Sequence, residues 1–250
     1  MPPRTYETLY DLSRFGPLLA SVERAGFEVS VVGGLAVGAY AHLSGGSNLS
    51  GDLDLYLSPR LISDFIDWAR AAGLELVHRP MPRALQTAMF TWEGICVDVL
   101  TEASGLPPPD VVLSRSREFE LSDCDGLVVS VADPYDLLAN KLAVRREKDL
   151  PHIDILRRFI DEEVVTTFAE EGRRRLSAAR RLMDVLDTRT LPEELAFRMV
   201  PVARDALGRR FLVSSVPTPE MVAALVAQAA DDAERAQLGA LADRRGLRVT

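Results

Sequence analysis

Between Phe27 and Leu57 the chain reads "FEVSVVGGLAVGAYAHLSGGSNLSGDLDLYL". A β-branched run ends in two glycines, an apolar stretch follows at once, and a loop of small residues leads into a second strand-like run. A strand must pass directly into a helix at Gly33-Gly34 and return as a strand carrying Asp52 and Asp54 on one side, because alternate strand residues share a face. That order reads as alternating strand and helix, the pattern of a mixed α/β fold.

The rest of the first 130 residues continues the alternation. "TLYDLSRFGPLLASVERAG" has helical periodicity interrupted near Gly16-Pro17, "PRLISDFIDWARAAG" is a helix ending at Gly73, and "LELVH" is strand-like. "QTAMFTWEGICVDVLT" reads as a hairpin turning at Glu93-Gly94, followed by the proline-rich connection "GLPPPD". After "FELSDCDGLVVSVADP" the texture changes. From Asp133, an N-cap placed before Pro134, the chain reads as helices to its C-terminus. The expected organisation is an α/β (α+β) domain over 1–132 and a helical region over 133–250.

Composition narrows the class. With 47% hydrophobic and 26% charged residues the 250-residue chain is of ordinary globular type. It has no apolar run near the roughly 18 residues a membrane span needs. The N-terminus lacks the pattern of a secretory signal, so a cytoplasmic setting is expected. Cys96 and Cys124 are too few for a disulfide scaffold or a zinc site and are expected to be reduced, buried thiols. A net charge of −8 argues against general nucleic-acid coating, although a local basic patch can still hold an RNA.

Asp52 and Asp54 stand about 6 to 7 Å apart along their strand, and like charges that close repel. A divalent cation relieves the repulsion, and hard carboxylate oxygens suit magnesium or manganese together with substrate phosphates. A charged edge strand facing solvent is the competing explanation for such a pair. Context favours the metal. Gly33 and Gly34 would let a phosphate approach the backbone N–H groups at a helix start. Ser50 stands two residues before Asp52, and a third acid, Asp98, lies in the strand "GICVDVL" between Val97 and Val99, which face the other way and pack.

"VVGGLAV", "LSGDLDLYL" and "VDVL" together resemble the DNA polymerase β-like nucleotidyltransferase superfamily. The downstream "DPYDLLANKLAVRREKDLPHIDIL" is similar to the corresponding segment of AbiEii-type toxins and their MenT relatives; the resemblance covers roughly residues 28 to 160. It implies a mixed sheet flanked by helices, with Asp52, Asp54 and Asp98 as magnesium or manganese ligands and Lys141 on nucleotide phosphates. Gly33, Gly34, Ser50 and Lys148 are expected to bind substrate. Asp149 and Asp154 would orient the lysine or close the site; alternatively Asp149 is an N-cap and Asp154 a first-turn acid favoured by the helix dipole. One departure is visible: "GGSN" lengthens the loop, and Asn48 stands where the resemblance expects an arginine.

Lys141 and Lys148 are the only lysines in the chain. Seven residues apart, they share a face if their helix continues. A compact ammonium suits a point contact to phosphate better than an arginine fork does. Nine arginines fall between 145 and 181, including Arg173, Arg174, Arg175, Arg180 and Arg181, which could steer an RNA backbone or simply pair with neighbouring glutamates. The three histidines lack metal-ligand spacing, and no Ser-His-Asp assembly is visible.

The implied reaction is transfer of a nucleoside monophosphate from an NTP to an acceptor hydroxyl. By resemblance the acceptor is the 3′ end of tRNA, and the protein the toxin of a pair with a cognate antitoxin. Two other readings stay open: transfer to a protein or to a small molecule such as an antibiotic, and a domain that binds nucleotide or a partner without turnover.

Overall fold

The computed structural model describes residues 8–78, 87–121, 124–169 and 236. The arginine cluster at 173–181 and most of the expected helical region, 170–235 and 237–250, lie outside them. Seven strands form one mixed sheet: β1 (Val29–Val32), β2 (Asp52–Leu57), β3 (Glu75–His78), β4 (Thr87–Trp92), β5 (Ile95–Leu100), β6 (Arg117–Leu121) and β7 (Leu127–Val131). They lie in the order β3-β4-β5-β2-β1-β7-β6. β2 with β5 and β1 with β7 are the parallel pairs. The helices are α1 (Gly16–Arg24), α2 (Gly33–Leu43), α3 (Ile62–Ala71), α4 (Pro109–Arg115), α5 (Pro134–Val144) and α6 (Leu150–Ala169).

One face of the sheet is a dry core. Leu53, Leu55, Val97 and Val99 are fully buried, and Phe65 of α3 meets Phe90 of β4 edge-on at 6.2 Å. Burying such side chains contributes about 1.5–3 kcal/mol each. The opposite face carries the acids, and α5 lies over part of it. α2 is apolar nearly all round, with Leu35, Ala36, Val37 and Tyr40 buried; the Tyr40 hydroxyl donates to the Ala132 carbonyl at 2.8 Å.

Local chemistry sets the turns. Glu93 (φ 50°) and Gly94 (φ 78°) are both left-handed, the I′ geometry that matches strand twist, so the expected hairpin forms as β4–β5. A second hairpin, β6–β7, turns at Asp125 (φ 51°) and Gly126 (φ 73°); the Asp-Gly dipeptide is the signal that marks it. The Asp133 side chain accepts from the Tyr135 N–H at 3.0 Å, capping α5 as its sequence requires.

Two expectations change. The first helix begins only at Gly16, after a 3₁₀ turn over Ser13–Phe15, with Pro17 in its first turn. Cys96 and Cys124 are free thiols but half-exposed rather than buried, because Cys96 lies on the acid-bearing face and Cys124 at a hairpin turn. By compactness the chain divides into the units Met1–Phe159 and Ile160–Thr250. α5 belongs to the first unit because it roofs the acid-bearing face, with Leu137 and Leu138 fully buried. Among the described residues no helix is long and apolar enough to cross a membrane.

Candidate active site

The parallel register of β2 and β5 pairs Asp52 with Cys96 and Asp54 with Asp98. Asp52, Asp54 and Asp98 therefore converge, each half-buried, with a carboxylate oxygen from each within 4.8 Å of the others. Burial and then the charges of Asp52 and Asp98 push the Asp54 carboxyl from 3.8 up to about 7. Three carboxylates this close carry more negative charge than a partly dry site tolerates. Hard oxygens converging from two strands fit magnesium or manganese, and the residues present are an adequate donor set.

Gly33 makes this approach possible. It sits at φ +72° where β1 meets α2, and a Cβ there would lie 1.8 Å from Asp54 Oδ2. At Gly34 a Cβ would lie 2.6 Å from Ser50 Oγ. The glycines thus let Asp54 and Ser50 pack directly against the first turn of α2. The Ser50 hydroxyl donates to Asp52 Oδ1 at 2.8 Å, so in this arrangement its proton serves the carboxylate rather than a phosphate. Asn48, in the lengthened loop, donates its amide to the Gly34 carbonyl at 2.9 Å and ties that loop to the start of α2.

A cation network faces the acids from α5 and the turn that follows it. Lys141 is 4% exposed on α5. Its Nζ lies 3.6 Å from Asp149 Oδ1. Burial lowers the Lys141 ammonium from its ordinary value, while Asp149 and Asp54 work to keep it charged. Asp149 is fully buried. Its carboxylate accepts three bonds from Arg146: the backbone N–H at 3.2 Å, Nε at 2.7 Å and the guanidinium terminus at 3.0 Å. Burial acts to raise Asp149, but these bonds and the charges of Lys141 and Arg146 outweigh it and hold the carboxyl below its ordinary value.

Arg146 is the residue that sequence reasoning passed over. The left-handed Arg145 (φ 46°) ends α5 and reverses the chain, so that Arg146 closes on Asp149 three residues on. His152 was also passed over. Its Nδ1 lies 3.9 Å from Asp149 Oδ1, and burial followed by the Lys141 charge brings the imidazole down to about 4. Neither had a signal beyond its place in a polar run.

The other predicted residues fall apart from this centre in different ways. α5 ends at Val144, so Lys148 does not continue the face of Lys141; it stands exposed in a 3₁₀ turn, Glu147–Asp149. Its charge nevertheless reaches Asp54 and acts to lower it. Asp154 is exposed on α6. It is not among the residues lining the cavity that opens on the acids.

That cavity has a volume of about 440 Å³. Asp54, Asp98 and Leu100 form part of its floor, and Asn140, Lys141 and Arg146 part of its roof.

No protein-family model matches the chain. No curated protein matches it either. Among solved structures, the chain is similar to the lincosamide antibiotic adenylyltransferase LnuA in its lincomycin-bound form, with TM-score 0.46 and 14% identity over 60% of this chain and 98% of that one. It is also similar to the Megavirus polyadenylate synthase, with TM-score 0.40 and 12% identity over 88% of this chain and 51% of that one. A tRNA nucleotidyltransferase complexed with a primer tRNA and an ATP analogue gives TM-score 0.27 and 15% identity over 93% of this chain and 86% of that one. All three are distant likenesses.

Proposed function

We infer that the protein is a metal-dependent nucleotidyltransferase, moving a nucleoside monophosphate from an NTP to an acceptor hydroxyl. One observation carries this reading: three carboxylates from adjacent parallel strands converge within 4.8 Å, beside the glycine pair that begins a helix. A structural role does not call for three repelling charges brought this close. A divalent ion held by Asp52, Asp54 and Asp98 would neutralise the triphosphate and fix the α-phosphorus.

The chain's own residues supply the rest. Backbone N–H groups at Gly33 and Gly34 receive the β- and γ-phosphates. Lys141, held by Asp149, offers a fixed positive charge to the phosphates, preorganised because the carboxylate sets its position before substrate arrives. Asp98 accepts the proton of the attacking hydroxyl. That oxygen forms the new bond to the α-phosphorus as the bond to the bridging oxygen breaks, and pyrophosphate departs with the electron pair.

The finer reading takes the acceptor as the 3′ end of tRNA and the protein as a growth-arresting toxin restrained by a cognate antitoxin. The similarity of "DPYDLLANKLAVRREKDLPHIDIL" to that group of toxins supports it, as does the placement of Lys141 and Asp149 from this segment beside the acids. Incubation with each [α-³²P]NTP, magnesium and total RNA tests both levels. Label in the tRNA fraction, with growth arrest on induction that Asp52→Ala abolishes, is the expected result. Pyrophosphate release without RNA labelling would leave nucleotidyl transfer standing and remove tRNA. Absence of magnesium-dependent NTP binding would sink the enzymatic reading.

A further inference from the structure

β2 parts from its neighbouring strands where its acidic side chains begin. Its ladder with β1 ends at Val32 and Asp54, because β1 passes into α2 at Gly33. Its ladder with β5 ends at Asp52 and Cys96. Ser50 lies beyond both, yet its hydroxyl is the donor that reaches Asp52 Oδ1 at 2.8 Å. Neither ladder holds Ser50 in place.

The N-terminal segment does. Tyr10 and Ser50 form an isolated antiparallel bridge, the Tyr10 N–H donating to the Ser50 carbonyl at 2.8 Å and the Ser50 N–H to the Tyr10 carbonyl at 2.9 Å. This segment is itself anchored on its other side. Asp11 accepts from the Ser13 hydroxyl at 2.7 Å and from the Arg14 N–H at 3.2 Å, which sets the turn after Tyr10. Leu12 and Phe15 are buried. The Phe15 ring lies 6.0 Å from that of Trp92 on β4, and Arg14 pairs with Glu93 at the β4–β5 turn. A chain of contacts thus runs from the β4–β5 hairpin through Tyr10 and Ser50 to the Asp52 carboxylate.

We propose that Tyr10 is a positioning residue for the metal site: its two backbone bonds fix Ser50, whose hydroxyl in turn sets the orientation in which Asp52 meets the ion. The proposal deepens the metal-dependent reading and rests on it. Asp52 is half-buried at the first position of its strand, where its side chain has several rotamers open to it. A donor on Oδ1 removes that freedom before an ion arrives. Groups that orient a ligand in this way typically change metal affinity by about 10–100-fold.

The test uses the full chain and Mn²⁺ alone, with the free ion counted by electron paramagnetic resonance. Binding at the site is the part of the isotherm that Asp98→Ala removes. Ser50→Ala is expected to weaken it about tenfold. Tyr10→Pro deletes the N–H that bonds Ser50 and should weaken Mn²⁺ by the same factor. The double variant should bind no more weakly than either single one, because Tyr10 acts only through Ser50. Leu9→Pro puts the same ring one residue away, at an exposed position whose N–H has no partner among the described residues; it should stay within twofold of the wild type. Should Tyr10→Pro not fold, a backbone ester at position 10 deletes the same N–H without adding the ring. Wild-type affinity in Ser50→Ala, in folded Tyr10→Pro or in the ester would overturn the proposal. Losses that multiply in the double variant, or an equal loss in Leu9→Pro, would overturn it too. If no Mn²⁺ binding depends on Asp98, the metal reading itself fails and takes the proposal with it, a result distinct from each of these.

Discussion

Asp54 lies directly across from Asp98 in the parallel β2–β5 ladder, and Asp54 also stands opposite Val32 on β1, one residue before Gly33. One residue is thereby pinned between a like charge and the start of a helix. Its chemistry is decided by those two neighbours.

Asp54→Asn removes one of the repelling charges without changing shape. The rise of Asp54 from 3.8 to about 7 corresponds to about 4 kcal/mol as an upper bound. The metal-free variant is therefore expected to be more stable than the wild type at pH 8, with transfer reduced at least a thousandfold. Chemical denaturation in EDTA and label-transfer assays measure the two effects. A variant less stable than the wild type at pH 8 would show that the acids do not repel.

The pH dependence follows in sign. A carboxyl raised by folding holds its proton more tightly in the native state, so its stabilising contribution is present below the unfolded value of 3.8 and is lost as pH rises through about 7. Magnesium competes with that proton. Its stabilisation should be small at pH 5 and large at pH 8, and it should be absent in Asp54→Asn. Thermal melts with and without magnesium at both pH values check this; an equal gain at pH 5 and pH 8 contradicts it.

His152 has the opposite sign. Its imidazole falls from 6.5 to about 4 on folding, so the stability it provides is present above 6.5 and drains away as pH falls toward 4. Replacement by Phe should flatten the acid limb of the stability profile between pH 6.5 and 4. An acid limb unchanged in His152→Phe would mean that burial of this ring is not what the native state pays for at low pH.

Gly33→Ala places a methyl group where Asp54 Oδ2 now lies, at a backbone φ of +72° that disfavours any side chain. A stability loss of about 2 kcal/mol or more is expected from strain and displacement together. Transfer should fall at least a hundredfold in the fraction that remains folded. Near-normal activity would show that the close approach of helix and acid is dispensable.

Breaking the Lys141–Asp149 ion pair should be costly, because both groups are buried. Asp149→Asn is expected to cost about 3 kcal/mol. The double variant Lys141→Met, Asp149→Asn should lose less than the sum of the two single losses. Strict additivity would mean that the two groups do not support one another.

Much of the site could be read from short runs of residues, for identifiable reasons. Asp52 and Asp54 share a face by strand period alone, the Asp133-Pro134 start of α5 is a local signal, and Glu93-Gly94 demands its turn. Lys148 was misplaced because nothing local forces α5 to stop at Val144; the left-handed Arg145 that stops it has no glycine to announce it. The β6–β7 hairpin was overlooked although Asp125-Gly126 marks it. Arg146 and His152 gain their surroundings only when the reversed chain brings Asp149 beneath Lys141.

The sequence by itself determined the strand-glycine-helix unit, the shared face of the paired aspartates and the capped start of α5, because period, backbone freedom and capping act within a few residues. Only the tertiary structure decided that Asp98 meets Asp54, that Asp149 holds Lys141, and that a cavity opens past the acids toward β4. Those depend on strand register and on the placing of α5 over the sheet, which are set by burial of the whole core rather than by any neighbouring residue.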